Sequence, residues 1–419
     1  MKMKDIKSQR SFGFSWIIAK YHEEANISTF SALMLLLKST VSIDPFIIII
    51  AYQCGLALCS LIGILLMGLT IISLTLYVKC WGVSNSITYT GVWKHCFGNV
   101  FSWIPSFCIM ISYFSLSSLC TLEFYYDVTD IFAMIPILKR LNPPNKKLID
   151  FSLMFLSVIP SIISNKFSAL FVISIIGNIG LFLACLSVVN KFYWKWNQFG
   201  INPDNKLKWW DFDISAVTTC YSYFNVAFFI HPIIYLIVKE MKSPTERTTM
   251  RIAISNSLLV GLIDMGIGII SYLLYYDDFE PDIKIITKFP KDSIWTLIGT
   301  IGSFLSNMGS NCAFVLFVVK ELCDLLLENS SNNLQSRMIS AASITFMGFA
   351  FSLAGEMTND YVWSLSSLTF YILVYVLPPA FYLKAFGFQN ELWCYLSILT
   401  IVASTPLASM EIYGSFFSG

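Results

Sequence analysis

Residues 28–55 form an apolar segment that is long enough to cross a bilayer but is interrupted at its centre. The segment reads STFSALMLLLKSTVSIDPFIIIIAYQCG, and about 20 helical residues span the roughly 30 Å of a hydrocarbon core. Its middle contains Lys38 and, after it, Asp44 and Pro45. Charge near the bilayer centre costs about 2.5 to 3.5 kcal/mol on insertion scales, and proline removes a backbone donor. The sequence therefore predicts a helix that is broken near residue 44.

A break of this kind is tolerated in a membrane only where the freed backbone faces protein or a water-filled cavity. In secondary transporters, interrupted helices form the substrate site near the middle of the bilayer. The alternative is a proline-kinked packing helix in which Lys38 extends to the interface and Asp44 is neutral. Because charges inside membrane spans are usually functional, the pattern favours a substrate site.

The composition is that of a multi-span membrane protein. Apolar residues make up 56% of the chain and charged residues only 13%, whereas soluble domains contain about 25% charged residues. Apolar runs separated by polar loops predict an all-α membrane protein with eleven spans near residues 28–52, 56–78, 100–124, 148–164, 167–190, 214–238, 252–275, 293–319, 338–354, 361–385 and 392–413.

The polar ends and loops predict the topology. Residues 1–27 are interpreted as a cytosolic tail, residues 28–413 as the transmembrane transporter domain and residues 414–419 as a short C-terminal tail. Lys and Arg are somewhat more numerous in the loops on the side of the N-terminus, which places that side in the cytosol. We expect an integral multi-pass protein of the plasma membrane or of a vacuolar or lysosomal membrane.

Several classes of function are disfavoured. A net charge of +1 provides no basic surface for nucleic acid, and no P-loop or hydrolase motif indicates an enzyme. The eleven cysteines have neither metal-ligand spacing nor a compact disulfide framework. We interpret them as small core side chains, and we predict no metal or other cofactor. A monomer embedded in the lipid bilayer is expected.

A second interruption lies in the sixth span, which contains His231 followed by Pro232. Breaks in the first and sixth spans suggest two repeats of five helices, each beginning with a broken helix. Eleven spans with this spacing fit a transporter better than a receptor or a simple anchor. A channel is less favoured, because broken helices imply an occluded site more than a continuous pore.

Three segments resemble the amino acid/auxin permease family, and especially its branch of neutral amino acid transporters. The first span reads LLLKSTVSIDPF, similar to the family pattern NLLK-[AS]-x-[VL]-G-[ST]-G-I-L. The sixth reads FNVAFFIHPIIYLIVKEMKSPTERTTMR, and the tenth reads SLTFYILVYVLPPAFYLK. The order and spacing of all eleven spans agree with the family. The resemblance implies the leucine-transporter fold, in which helices one and six surround the substrate and helices three, eight and ten complete the pocket.

The chain departs from the family at the first break, where Ser42, Ile43 and Asp44 replace Gly-Ser-Gly. Glycine lets the backbone approach a substrate carboxylate closely, whereas an ionised Asp44 would repel it. Three interpretations follow. Asp44 is protonated through desolvation, it faces the substrate's ammonium or a cationic side chain, or it pairs with Lys38.

The resemblance also bears on the coupling ion. Lys38 stands where sodium-coupled members place an Asn that helps to hold the ion, and a fixed ammonium can replace Na⁺. Asn311 aligns with the Thr that completes this ion site in the eighth helix. Its amide suits either a hard cation or Lys38. These features favour H⁺ over Na⁺ as the coupling ion.

Two further buried groups are candidates for proton transfer. His231 either carries a coupling proton or is hydrogen-bonded to a carbonyl freed by the break. Asp264, in the otherwise apolar seventh span, is either a relay or a structural group. We therefore predict substrate binding by Ser42, Ile43, Asp44, Tyr221, Tyr223, Asn225 and Phe228, and coupling by Lys38, Asp44, His231, Asp264 and Asn311.

The predicted function is secondary active transport of neutral or cationic amino acids by alternating access, coupled to protons. Two alternatives remain open. One is a sodium-coupled neutral amino acid symporter with the same fold. The other is an amino acid sensor that transports little, for which substrate binding would exceed substrate flux.

Overall fold

The computed structural model describes most of the chain, and the described part folds almost entirely as helices. The described residues are 27–41, 44–135, 146–163, 166–199, 207–242, 244–275, 285–291, 293–326, 333–354, 365–388 and 390–417. Their main helices are α1 (Thr29–Thr40), α2 (Asp44–Ile47), α3 (Leu56–Ser84), α4 (Tyr89–Phe97), α5 (Ile104–Met134), α6 (Lys146–Ile163), α7 (Phe171–Phe199), α8 (Ile214–Ala227), α9 (Ile234–Lys239), α10 (Glu246–Tyr275), α11 (Ile294–Leu326), α12 (Leu334–Ala354), α13 (Leu365–Phe386) and α14 (Glu391–Phe417).

Long apolar helices confirm a multi-pass membrane protein. Within the described residues, seven helices are long and apolar enough to cross a membrane, namely α3, α5, α7, α10, α11, α13 and α14. Shorter apolar helices, Thr29–Thr40 and Ser152–Ile163, lie at the predicted first and fourth spans. The short helix α4 lies between the predicted second and third spans.

The first span is broken where the sequence predicts it. Helix α1 ends at Thr40, and Val41 is extended with φ −92° and ψ 105°. Helix α2 then begins at Asp44. Pro45 lies in its first turn, where a helix needs no backbone donor. The chain continues as a 3₁₀ turn over Ile48–Cys54, so the two halves of the span are separate helical segments.

The sixth span is also broken, as predicted. Helix α8 ends at Ala227 and helix α9 begins at Ile234. The irregular residues between them, 228–233, include His231 and Pro232, and all of their side chains are buried. Non-helical backbone at this depth therefore faces protein, as the membrane environment requires.

Helices α7 and α11 approach each other through glycines. A Cβ atom added at Gly180 would lie 2.6 Å from the carbonyl oxygen of Gly302, and one added at Gly302 would lie 2.6 Å from that of Gly180. Small residues permit such close helix contacts in membranes. Gly177, one turn from Gly180, and Gly309, two turns from Gly302, also face each other, and this second pair makes room for the side chain described next.

Candidate transport site

Lys38 lies inside the protein, at the junction of α1, α7 and α11. Its side chain is 0% exposed, and its Nζ atom donates to the Oγ atom of Ser306 at 2.5 Å. A Cβ atom at Gly177 would lie 2.6 Å from the Lys38 Cδ atom, and one at Gly309 would lie 3.2 Å from it. The side chain therefore occupies space that two glycines leave open. The alternative in which Lys38 extends to the membrane interface is wrong.

The backbone carbonyls at the first break contact α11. The Ser310 hydroxyl donates to the carbonyl oxygen of Lys38 at 3.0 Å and lies 3.4 Å from that of Val41. On another side, the Asn256 amide of α10 donates to the Thr40 hydroxyl at 3.1 Å. The Ser310 hydroxyl thus binds carbonyl groups that the end of a helix leaves without intrahelical partners, and Asn256 holds the last residue of α1 against α10.

Asn311, predicted to take part in coupling, is buried on α11 and contacts α5. Its Oδ1 atom accepts a hydrogen bond from the Ser117 hydroxyl at 2.8 Å. One turn earlier the Asn307 amide, and two turns earlier the Ser303 hydroxyl, donate to Asp127 of α5 at 3.0 Å. The polar face of α11 thus binds α5 through Asn311, whereas Ser306 binds the Lys38 ammonium.

Of the residues predicted to bind substrate in the sixth span, three are buried and Tyr223 is half-buried. The Asn225 amide donates to the carbonyl oxygen of Ser367 in α13 at 3.1 Å. Among the described residues, neither the Oδ1 atom of Asn225 nor the hydroxyl of Tyr221 has a hydrogen-bond partner. The Phe228 ring lies at the break and stacks on Phe224 at a centroid distance of 6.0 Å. A buried donor and acceptor therefore remain available beside aromatic rings.

The predicted site residues of the first break are only partly described. Ser42 and Ile43 lie outside the described residues. The backbone of Asp44 begins α2, but its side chain also lies outside the described part. The three interpretations of Asp44 therefore stay predictions.

His231 lies in the sixth-span break and contacts α3. Its Nε2 atom is 3.0 Å from the Ser73 hydroxyl, which donates its own hydrogen to the carbonyl oxygen of Val374 in α13. That carbonyl lacks an intrahelical donor four residues later, because Pro378 has no backbone N–H. The described partner of the ring is thus a hydroxyl and not a carbonyl freed by the sixth-span break, and transfer of a coupling proton by His231 stays a prediction.

Asp264 is fully buried in α10 and lies near Tyr52, in the second half of the first span. The neighbouring carbonyl of Met265 accepts from the Tyr52 hydroxyl at 3.2 Å. Tyr52 belongs to the 3₁₀ turn that follows α2. The acid is therefore placed where α10 contacts the first broken helix.

The family follows from a comparison of the sequence with protein-family models. Residues 25–417 match the model described as "Transmembrane amino acid transporter protein". The chain belongs to this family. A comparison with curated protein sequences finds no significant match.

Two solved structures share the fold of this transporter. MhsT in complex with L-phenylalanine is 13% identical in sequence and superposes with a TM-score of 0.62 over 94% of this chain and 100% of MhsT. Mhp1, a nucleobase-cation-symport-1 family transporter in a closed conformation with bromovinylhydantoin bound, is 12% identical, with a TM-score of 0.58 over 94% of this chain and 91% of Mhp1. The leucine-transporter fold with broken first and sixth helices is thereby confirmed.

The transporter contains a buried acid that sequence reasoning missed. Glu411 of α14 is 6% exposed and accepts hydrogen bonds from the hydroxyls of Ser222 in α8 and Ser367 in α13. Ser367 also receives the Asn225 amide at 3.3 Å, so polar contacts connect Glu411 with the end of α8. In the sequence, Glu411 lies two residues before the end of the predicted last span. An acid at such a position is usually interpreted as lying at the membrane interface, so it was not predicted to be a site residue.

A second buried acid, Glu240, connects three segments of the chain at one end of the transporter. Its two carboxylate oxygens accept from the backbone N–H groups of Phe167 and Ser168 at 2.7 and 2.6 Å. Its own carbonyl accepts from the backbone of Ile27 at 3.2 Å, just before α1. Glu240 belongs to the segment EMKSP that resembles the family. It joins the end of α9, the start of the fifth span and Ile27, two residues before α1.

The opposite end of the first span is covered by a loop. The backbone N–H groups of Leu56 and Ala57 donate to the carbonyl oxygens of Lys208 and Trp209 at 2.9 and 3.0 Å. Gly55 has a φ of 95°, and an added Cβ atom would lie 2.7 Å from the Trp209 backbone. Within the loop, the Lys208 ammonium is 2.7 Å from Asp211, and this contact lowers the pKa of the Asp211 carboxyl.

Proposed function

We propose that the protein is a secondary transporter for neutral or cationic amino acids, driven by protons and independent of sodium. Family membership and the fold support amino acid transport. The observation that carries the choice of ion is the buried Lys38 ammonium, which binds Ser306 between α1, α7 and α11.

The contacts of the first break argue against a bound sodium ion. A hard cation is held by oxygen ligands such as backbone carbonyls. At this break, the carbonyl of Lys38 already accepts the Ser310 hydroxyl. By the family resemblance, the Lys38 side chain replaces an Asn that would add another oxygen ligand. A fixed positive charge therefore takes the place of a mobile one.

Proton coupling needs a buried group that gains and loses a proton as the helices move. Asp44, His231 and Asp264 are candidates on the first, sixth and seventh spans, and Asn311 contributes by orienting α11 against α5. Glu411 is a fourth candidate, because it touches α8 and α13 directly. Within the described residues, Glu411 lies close enough to the buried Tyr221 hydroxyl to interact with it electrostatically.

An amino acid substrate is supported by the polar atoms beside the sixth-span break. The Tyr221 hydroxyl can donate to a carboxylate, and the Asn225 Oδ1 atom can accept from an ammonium. The rings of Phe228 and Phe229 are buried beside them. MhsT, which shares the fold, binds L-phenylalanine. A cationic substrate would in addition use Asp44.

The test is uptake by the full-length protein in liposomes. Acidic, neutral and basic amino acids are supplied under an inward proton gradient, with Na⁺ or with choline as the external cation. We expect accumulation of neutral or basic amino acids that follows the proton gradient and does not change with choline. Strict Na⁺ dependence would establish the symporter alternative. Saturable binding without flux would establish a sensor.

A further inference from the structure

Three cysteines from separate parts of the chain meet near the covered end of the first span. Cys54 ends the 3₁₀ turn after α2, Cys59 lies in the first turn of α3, and Cys220 belongs to α8. Their Sγ atoms all lie within 4.8 Å of one another, and those of Cys59 and Cys220 are 3.5 Å apart. All three side chains are buried.

This spacing is close to that of a thiolate metal site. Sulfur ligands about 2.3 Å from a zinc ion are about 3.8 to 4.0 Å apart in tetrahedral or trigonal arrangements. The observed Cys59–Cys220 distance of 3.5 Å and the upper limit of 4.8 Å for all three pairs are within about 1 Å of this range, so small side-chain rotations would bring the three sulfurs onto one ion. Soft thiolate ligands select Cu⁺ and Zn²⁺ over hard cations.

The surroundings favour the thiolate form that metal binding requires. Cys54 and Cys59 lie on either side of the N-terminus of α3, a helix of 29 residues. The positive end of a helix dipole stabilises thiolates. The carbonyl of Cys54 also accepts from the backbone of Asp211 at 2.8 Å, which fixes the first ligand in place.

We propose that Cys54, Cys59 and Cys220 form a binding site for one soft d¹⁰ metal ion of the Zn²⁺ and Cu⁺ class. The ligands come from the first, second and sixth spans. A bound ion would therefore hold both broken spans against α3. Because alternating access moves broken spans relative to their neighbours, the ion inhibits transport. The sequence analysis predicted no metal. Cys54 and Cys59 are separated by four residues, a spacing that zinc ligands also show, but Cys220 lies 161 positions beyond Cys59 and is brought to them only by the fold.

The first test is binding of Cd²⁺, a spectroscopic substitute for Zn²⁺. The reduced full-length protein in detergent is titrated with Cd²⁺, and the thiolate-to-cadmium charge-transfer absorption is recorded. We expect one bound ion per chain, with affinity reduced more than about tenfold in Cys59→Ser and in Cys220→Ser, because even outer-shell partners contribute about 10- to 100-fold. Cys80→Ser is the matched control, since Cys80 is buried on the same helix.

Two results would overturn the site. One is the same cadmium absorption in wild type and in the Cys59→Ser/Cys220→Ser double variant. The other is a Cys59–Cys220 disulfide in protein purified without reductant, detected by peptide mass mapping. If a serine variant does not fold, Cys54→Ala provides the same comparison with a smaller side chain that packs without a hydrogen bond.

A flux measurement tests the functional consequence separately. Cd²⁺ should inhibit substrate exchange in wild type and in Cys80→Ser, with recovery after a chelator, but not in Cys59→Ser. Inhibition that persists in Cys59→Ser would contradict the link between the site and the moving helices. The binding test needs no transported substrate, so it stands even if the proposed transport function is wrong.

Discussion

The Nζ atom of Lys38 lies 2.5 Å from the Oγ atom of Ser306, across 268 positions of the sequence. Burial of an ammonium in a protein interior is costly unless hydrogen bonds compensate it. The two glycines beside its stem make this position sterically possible. The contact between Lys38 and Ser306 therefore determines how α1 packs against α7 and α11. The first two predictions concern this contact.

Gly177→Ala should lower both stability and transport. The new methyl group would lie 2.6 Å from the Lys38 Cδ atom, and overpacking of this kind costs about 1 to 3 kcal/mol. Thermal unfolding and exchange of substrate between liposomes and medium measure the two effects. Gly266→Ala is the control, because nothing lies within 4 Å of its added Cβ atom. Equal behaviour of the two variants would contradict the tight fit around Lys38.

Lys38→Asn should change the ion dependence. Removal of the ammonium leaves Ser306 without its donor and restores the side chain that the family resemblance associates with sodium. We expect sodium-independent uptake to fall about tenfold, which corresponds to about 1.4 kcal/mol, and the remaining uptake to respond to Na⁺. Lys384→Asn, at an exposed lysine, should leave uptake unchanged. Sodium-independent uptake at the wild-type rate in Lys38→Asn would count against the proposed role.

Glu411→Gln separates proton coupling from transport. Glutamine keeps an acceptor for the hydroxyls of Ser222 and Ser367 but cannot carry the exchangeable proton of a carboxyl group. We expect exchange of substrate across the membrane to persist, whereas accumulation driven by a pH gradient is lost. Glu391→Gln, an exposed position on the same helix, should behave as wild type. Full proton-driven accumulation in Glu411→Gln would exclude Glu411 as the coupling group, while no proton-driven accumulation in wild type would refute proton coupling itself.

Glu240→Ala should destabilise the end of the transporter at which Glu240 connects α9, the fifth span and Ile27. The carboxylate accepts two backbone N–H groups, and hydrogen bonds to charged groups contribute about 1.5 to 3 kcal/mol each. We expect a lower unfolding temperature and faster labelling of a cysteine introduced at Ile27, which is buried beside Glu240. Glu246→Ala, at the first turn of α10, removes mainly a helix-dipole interaction worth about 0.3 to 1 kcal/mol. If labelling is no faster in Glu240→Ala than in Glu246→Ala, the contacts of Glu240 do not hold Ile27 in its buried position.

Much of the architecture was predictable because its signals are local in sequence. Apolar length predicts membrane spans, and a proline beside a charge predicts a broken helix whatever surrounds it. The breaks just before Asp44 and at His231–Pro232 were therefore predictable from the sequence, as was the family through LLLKSTVSIDPF. The depth of Lys38 remained open, because a long lysine stem can reach an interface or a buried partner equally well.

Contacts between distant spans were decided only by the tertiary structure. The partners of Lys38, His231 and Asn311 depend on the rotation of each helix about its axis, which nearly uniform apolar segments do not encode. The same holds for Glu411, and for the three cysteines brought together from separate spans. By itself the sequence predicted a multi-pass helical membrane protein, its two interrupted spans and the family. Helix packing, through close glycine contacts and the need to satisfy every buried polar group, decided which side chains meet.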